Sequence, residues 1–156
     1  MINLLRPYYR VVCAINVVFL TIINTSFKYN MPAAKYNLKV VISKMRNDNG
    51  QVGICLFNKA DGFPYSESAI ECQYAKAKKN YTEYTFTNLE MGTYAVSIFH
   101  DANDNKKLDK NWLGIPKEGI GASNNAKETF GSPKFNDAKF ILNKPDQAIT
   151  INLSYF

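Results

Sequence analysis

The segment from Asp101 to Asp109 places oxygen-bearing side chains at alternating positions: Asp101, Asn103, Asn105, then Asp109. That is positions 1, 3, 5 and 9 of a loop that wraps a hard cation, and the backbone carbonyl of Lys107 supplies position 7. Calcium, which takes about six to eight oxygens, is the one cofactor the pattern suggests. Two residues depart from it. Lys106 stands where the sharp turn uses glycine, and Trp112 stands where the cage closes on a bidentate acid. Lys106 and Lys107 also repel a cation. The other reading is an Asx-rich turn, because Asn and Asp accept hydrogen bonds from the backbone just ahead and tolerate left-handed geometry.

His100 is the single histidine, and Asp101 follows it. Together with Glu118 these residues would suit a cell-envelope hydrolase, provided all three converge on a pocket. Neighbours along a strand point to opposite faces, so the adjacency of His100 and Asp101 does not make a dyad. Parity places His100 inward with Ile98. There is no G-x-S-x-G, no H-E-x-x-H and no paired C-x-x-C, which leaves nucleophilic and zinc chemistry without a motif. Further on, Trp112, Glu118, Asn124 and Asn125 combine an aromatic anchor with polar groups, a mixture suited to binding a sugar or a peptide. Alternatively, Trp112 packs the loop onto the sheet, the two asparagines cap turns, and Glu118 is a lone solvated carboxylate.

These residues sit within a chain dominated by period-two alternation, the mark of half-buried strands. Leu38, Val40 and Ile42 share a face, and so do Val52, Ile54 and Leu56. Between them Asn47-Asp48-Asn49-Gly50 is a turn signal, so the two runs are expected to form a hairpin. Ser66–Lys78 reads as a capped short helix or as a strand beginning at Ile70. Tyr81, Tyr84 and Phe86 mark a further strand, and Tyr94, Val96, Ile98 and His100 the cleanest central one. Strands return at 138–142 and 148–155, the last with Ile149, Ile151, Leu153 and Tyr155 on one face. The expectation is all-β: one antiparallel sandwich of about seven strands, Greek-key and transthyretin- or immunoglobulin-like. Residues 101–137 form one long loop after the central strand. A loop of that length is functional or disordered, and Trp112, Pro116, Phe130, Pro133 and Phe135 favour an ordered, packed one.

The first residues read differently. Arg6 and Arg10 precede a continuous apolar run, Val11–Ile23, which is too short for a membrane span of about 20 residues and suits a signal peptide. The expected leader is 1–26, with cleavage near Ser26 or as late as Ala33–Ala34, and the domain is 36–156. Cys13 lies too early for a lipoprotein cysteine. Cys55 and Cys72 remain, and an exported domain allows them either a disulfide or a free buried state. The net charge is +6, and it falls to +4 once the two leader arginines are set aside. Scattered lysines on an exported domain argue against nucleic acid.

The stretches GQVGICLFNKADGFP, LEMGTYAVSIFHD and IFHDANDNKKLDKNWLGIPKEGIGASNNAKETFGSPKFNDAKFIL resemble domain-of-unknown-function family 2141, a group of exported bacterial proteins. The likeness runs over roughly residues 36–155. It implies a signal peptide and a β-sandwich, and it brings no catalytic residues with it. Lys106 stands where many members carry glycine. The chain is therefore expected to be a non-enzymatic binding or structural module of the periplasm or extracellular space. Its surface would be the 101–137 loop, its partner an envelope polymer or protein, and it would meet a membrane only through an uncleaved leader.

Overall fold

Alternating side chains sort most strands into a buried and an open face, while Val52–Phe57 is buried on both, and those faces build the domain. The computed structural model describes residues 34–128 and 131–156, so the expected leader and Phe130 lie outside the described residues. Eight strands follow in order: β1 (Tyr36–Met45), β2 (Gln51–Phe57), β3 (Glu71–Lys76), β4 (Asn80–Leu89), β5 (Gly92–Asp101), β6 (Ile120–Ala122), β7 (Phe140–Leu142) and β8 (Asp146–Asn152). A single helical turn, α1 (Phe135–Ala138), and 3-10 turns at Ser66–Ser68 and Ser123–Asn125 complete the elements. Both readings of 66–78 are realised in succession, a short turn and then β3.

Three strands form one sheet in the order β4-β1-β8, and the other five form a second, in which β3, β2 and β5 are adjacent. Both β6 and β7 pair with β5 on its far edge, which makes β5 the central strand expected of it. One apolar core lies between the sheets. Leu38, Val40, Ile42, Phe86 and Ile151 come from the small sheet and Val52, Ile54, Leu56, Val96 and Ile98 from the large one, all buried. At about 1.5–3 kcal/mol per fully buried aliphatic side chain, these faces carry the favourable side of folding.

Two expectations are corrected. β1 and β2 do not form a hairpin. β1 pairs antiparallel with β4 and parallel with β8, setting Val40 against Ile149 and Ile42 against Ile151. The sheets are thus not wholly antiparallel. The turn before Gly50 carries the chain from one sheet to the other and presses against the end of β5. Gly50 has φ +65°, and a Cβ there would sit 2.0 Å from the Asp101 carbonyl oxygen, so only glycine fits.

The large sheet is covered on its outer side too. Phe63 meets Phe57 and Phe135 edge-on at 5.0 and 5.8 Å between ring centroids, over a floor of Ala95, Ala122 and Ala138. Cys55 and Cys72 lie directly opposite in the β2–β3 register and form a disulfide.

Candidate functional site

β5 delivers Asp101 to the head of the long loop as a fully buried carboxylate. Such a group must be satisfied. Its Oδ1 accepts the Asn105 amide at 3.0 Å, and its Oδ2 accepts the Lys106 amide at 2.8 Å and Gln51 Nε2 at 3.1 Å. The turn then repeats the device. Asn103 Oδ1 accepts the Asn105 amide at 3.3 Å, and Asn105 Oδ1 accepts the Lys107 amide at 2.7 Å. Nδ2 of Asn103 and of Asn105 donate to the two oxygens of Asp109 at 2.8 and 3.2 Å. Asp104 and Lys106 adopt left-handed φ of +58° and +60° without glycine.

All five residues expected around calcium therefore lie in one turn, and the donor set is oxygen throughout, as calcium requires. Their arrangement is that of an Asx-rich turn, with the oxygens engaged by N–H donors. Among the described residues no three carboxylate, imidazole or thiol groups are placed to hold a metal ion.

Glu118 is not the solvated carboxylate of the alternative reading. It is 8% exposed, and its two oxygens accept the amides of Ala102 at 2.9 Å and Asp109 at 3.0 Å, binding both ends of the turn. Beyond Asp109 the chain folds into a small hairpin. Lys117 donates its amide to Asp109 O at 2.9 Å, Lys110 bridges Pro116, and the Asn111 amide donates to Ile115 O at 2.9 Å. Asn111 Oδ1 then accepts the amides of Leu113 and Ile115 at 2.9 and 3.0 Å, filling the inside of the tip. Gly114, at φ +78°, makes the reversal.

On this tip Trp112 is 89% exposed, with Leu113 at 60% and Ile115 at 42%. The expectation that Trp112 packs the loop onto the sheet is overturned, because the loop is held by polar groups and by Phe63 and Phe135 instead. Asn124 and Asn125 do not stand beside it as ligand-binding amides. Asn124 Nδ2 donates to the carbonyls of Asp137 and Lys139 at 3.1 and 2.9 Å, and Asn125 Oδ1 accepts the Asn152 amide at 2.8 Å. Both cap the chain where it returns toward β7 and β8, as the capping alternative has it.

His100 is 1% exposed. Nδ1 lies 2.9 Å from the Tyr155 hydroxyl, and Nε2 lies 2.8 Å from the Asn49 carbonyl. Only an Nε2–H tautomer donates to that carbonyl while Nδ1 accepts the phenol proton, and the Tyr155 oxygen in turn accepts the Arg46 amide at 3.2 Å. Asp101 and Glu118 make none of these bonds. The groups of the hydrolase reading thus serve structural ends, the two carboxylates in the 101–109 turn and His100 between Asn49 and Tyr155. A cleft of about 460 Å³ lies elsewhere, between Phe63, Tyr65, Pro133 and Phe135.

Asn111 and Tyr155 escape inspection of the sequence, the first more avoidably; Ser123, a polar neighbour of the two asparagines, accepts the Val96 amide through Oγ at 2.9 Å and donates to Ala138 O at 2.6 Å. The Asn-x-Leu-Gly spacing is a signal that could have found the first, since Asn ahead of a glycine turn commonly accepts the amide two residues on.

An all-β domain of two open sheets is the class these features define; the expected single loop over 101–137 is interrupted by β6, and buried carboxylates brace its first part. The chain belongs to the family described as "Uncharacterized protein conserved in bacteria (DUF2141)", whose profile matches residues 40–150. No curated protein and no solved structure matches it.

Proposed function

We propose that this is an exported, non-enzymatic binding module of the cell envelope that works through the 101–137 loop. The observation that carries the reading is an apolar tip held out in water by a hydrogen-bonded hairpin. A monomeric domain gains nothing by exposing a tryptophan, and hydrogen-bond braces under it hold it ready for a partner. Two sheets around one core support reading the frame as a sandwich of Greek-key, transthyretin- or immunoglobulin-like type. The apolar run behind Arg6 and Arg10 supports a cleaved leader.

Calcium belongs to the same reading as a further brace. Asp101, Asn103, Asn105, Asp109 and the Lys107 carbonyl would hold it once the two asparagines turned their amides. A melting temperature higher in calcium than in chelator supports the ion, and equal melts leave Glu118 and the Asx network as the brace.

The binding reading is tested with protein released by osmotic shock from an expressing bacterium and mixed with washed envelope fragments. Wild type is expected to sediment with them. The triple variant Trp112→Ala, Leu113→Ala, Ile115→Ala is expected to stay in solution with an unchanged melt. Equal sedimentation of the two sinks the assignment of the surface, and failure to recover any protein by osmotic shock sinks export to the periplasm.

A further inference from the structure

The binding tip also carries information about what it meets. It is convex. Trp112, Leu113 and Ile115 crown a two-stranded hairpin, and an added Cβ at Gly114 would find no atom within 4 Å. A sugar or peptide site needs walls, and the cleft bounded by Phe63, Tyr65 and Phe135 is lined by none of the three tip residues. A projecting apolar wedge fits a medium that adapts to it.

The exposed charge around it is mainly positive: of the nearby acids Asp101 and Glu118 are buried, and Asp104 alone stands exposed beside the lysines. Between residues 106 and 117 stand four lysines and one acid, Asp109, a net +3. Asp109 is spent on the amides of Asn103 and Asn105. Lys106, Lys107, Lys110 and Lys117 are all exposed, and among the described residues none has a carboxylate within salt-bridge reach. Lys110 and Lys117 flank the base of the hairpin. The ammonium groups of Lys106 and Lys110 lie 5.7 Å from the ring centroids of Tyr74 and Tyr65, so aromatic faces hold two of the four cations on the same side as those rings.

Tryptophan at the apex, aliphatics beside it and lysines at the base match an anionic bilayer from its acyl boundary outward. We infer that the Lys110–Lys117 hairpin docks onto the surface of an anionic lipid membrane, with Trp112, Leu113 and Ile115 entering the interface and the lysines meeting headgroup phosphates. This rests on the binding reading above and names its partner. It also adds a membrane contact that the sequence confined to the leader. Among the described residues no helix is long and apolar enough to span a membrane, and docking at the interface needs none.

Trp112 is the chain's one tryptophan, so its emission reports the tip alone, whatever the leader does. The full chain is titrated with vesicles of equal parts phosphatidylglycerol and phosphatidylcholine, with and without brominated acyl chains, and with phosphatidylcholine alone. The expected result is a blue shift and bromine quenching on the anionic vesicles that weaken as salt is raised. Lys110→Gln with Lys117→Gln should weaken binding about 25-fold, at roughly five-fold per lysine. Leu113→Asp with Ile115→Asp should abolish quenching. Absence of quenching on anionic vesicles, or equal quenching of wild type and the aspartate variant, overturns the proposal. If the vesicles fail while the alanine triple variant still loses envelope sedimentation, lipid is the wrong partner and the binding surface stands. If both fail, the surface itself is wrong.

Discussion

Replacing Glu118 by glutamine probes the brace under the tip without changing its shape. The carboxylate accepts two backbone amides, Ala102 at 2.9 Å and Asp109 at 3.0 Å, from a position 8% exposed. A glutamine side chain has one acceptor oxygen. Whichever amide that oxygen keeps, the other then faces an NH₂ donor. The bond kept also loses its charge. A hydrogen bond to a charged group contributes about 1.5–3 kcal/mol, and a neutral one about 1 kcal/mol. The loss is therefore about 2–5 kcal/mol, discounted to the lower figure because Ala102 is exposed and its amide can turn to water. For a domain of this size about 1 kcal/mol moves the melting midpoint by about 4 °C, so Glu118→Gln should melt about 8 °C lower. If only the loop opens, the loss appears instead as faster tryptic cleavage after Lys106, Lys107, Lys110 or Lys117. Measuring both covers either case. A variant within 2 °C of wild type and cleaved at the same rate would show that Glu118 does not hold the loop.

Asn111→Ala removes the acceptor for the Leu113 and Ile115 amides. The expected result is a lower steady-state anisotropy of Trp112 with a global melt shifted by less than about 4 °C. Unchanged anisotropy would mean that other contacts fix the tip. The Cys55–Cys72 bridge closes a loop of 17 residues, for which the chain-entropy estimate is about 3 kcal/mol. Reductant should lower the urea midpoint accordingly, and Cys55→Ser with Cys72→Ser should show the same loss and no response to reductant. Burial, with Glu90 nearby, raises the Tyr94 phenol above its usual value of 10.0. A raised folded value stabilises fully below the unfolded value and is lost as pH climbs through the folded one. The domain should therefore weaken above about pH 10, and Tyr94→Phe should flatten that alkaline limb in urea titrations. An equally steep limb would place the loss elsewhere.

How far the sequence reads depends on what each signal measures. Alternation measures which way side chains point, and at Leu38–Ile42, Val52–Leu56, Tyr94–His100 and Ile149–Ile151 it names the buried face correctly. It carries no information about partners, so β1 and β2 looked like a hairpin although they belong to different sheets. The parallel β1–β8 pairing joins Asn37 to Asp146, far beyond any local pattern. At the site, the Asx turn is local and was legible from residue type. Glu118 and Tyr155 act on residues 16 and 55 positions away, and only the fold shows that a seemingly lone carboxylate is a brace. Trp112 was misplaced for a related reason. Aromatics normally pack, and the Asn-x-Leu-Gly spacing that puts Asn111 inside the turn does not say which way Trp112 points.

The last strand also sets when the domain can exist at all. β1 is laid down first and lies between β4 and β8, with Ile42 of β1 beside Ile151 of β8. A chain growing from its amino end can pair β1 with β4 early, but one side of β1 then stays bare. The core stays open too, until Ile151 and Leu153 close it. Completing the small sheet thus waits on a contact of very long range. A stop a few residues early would leave a sheet edge ready to pair with another copy.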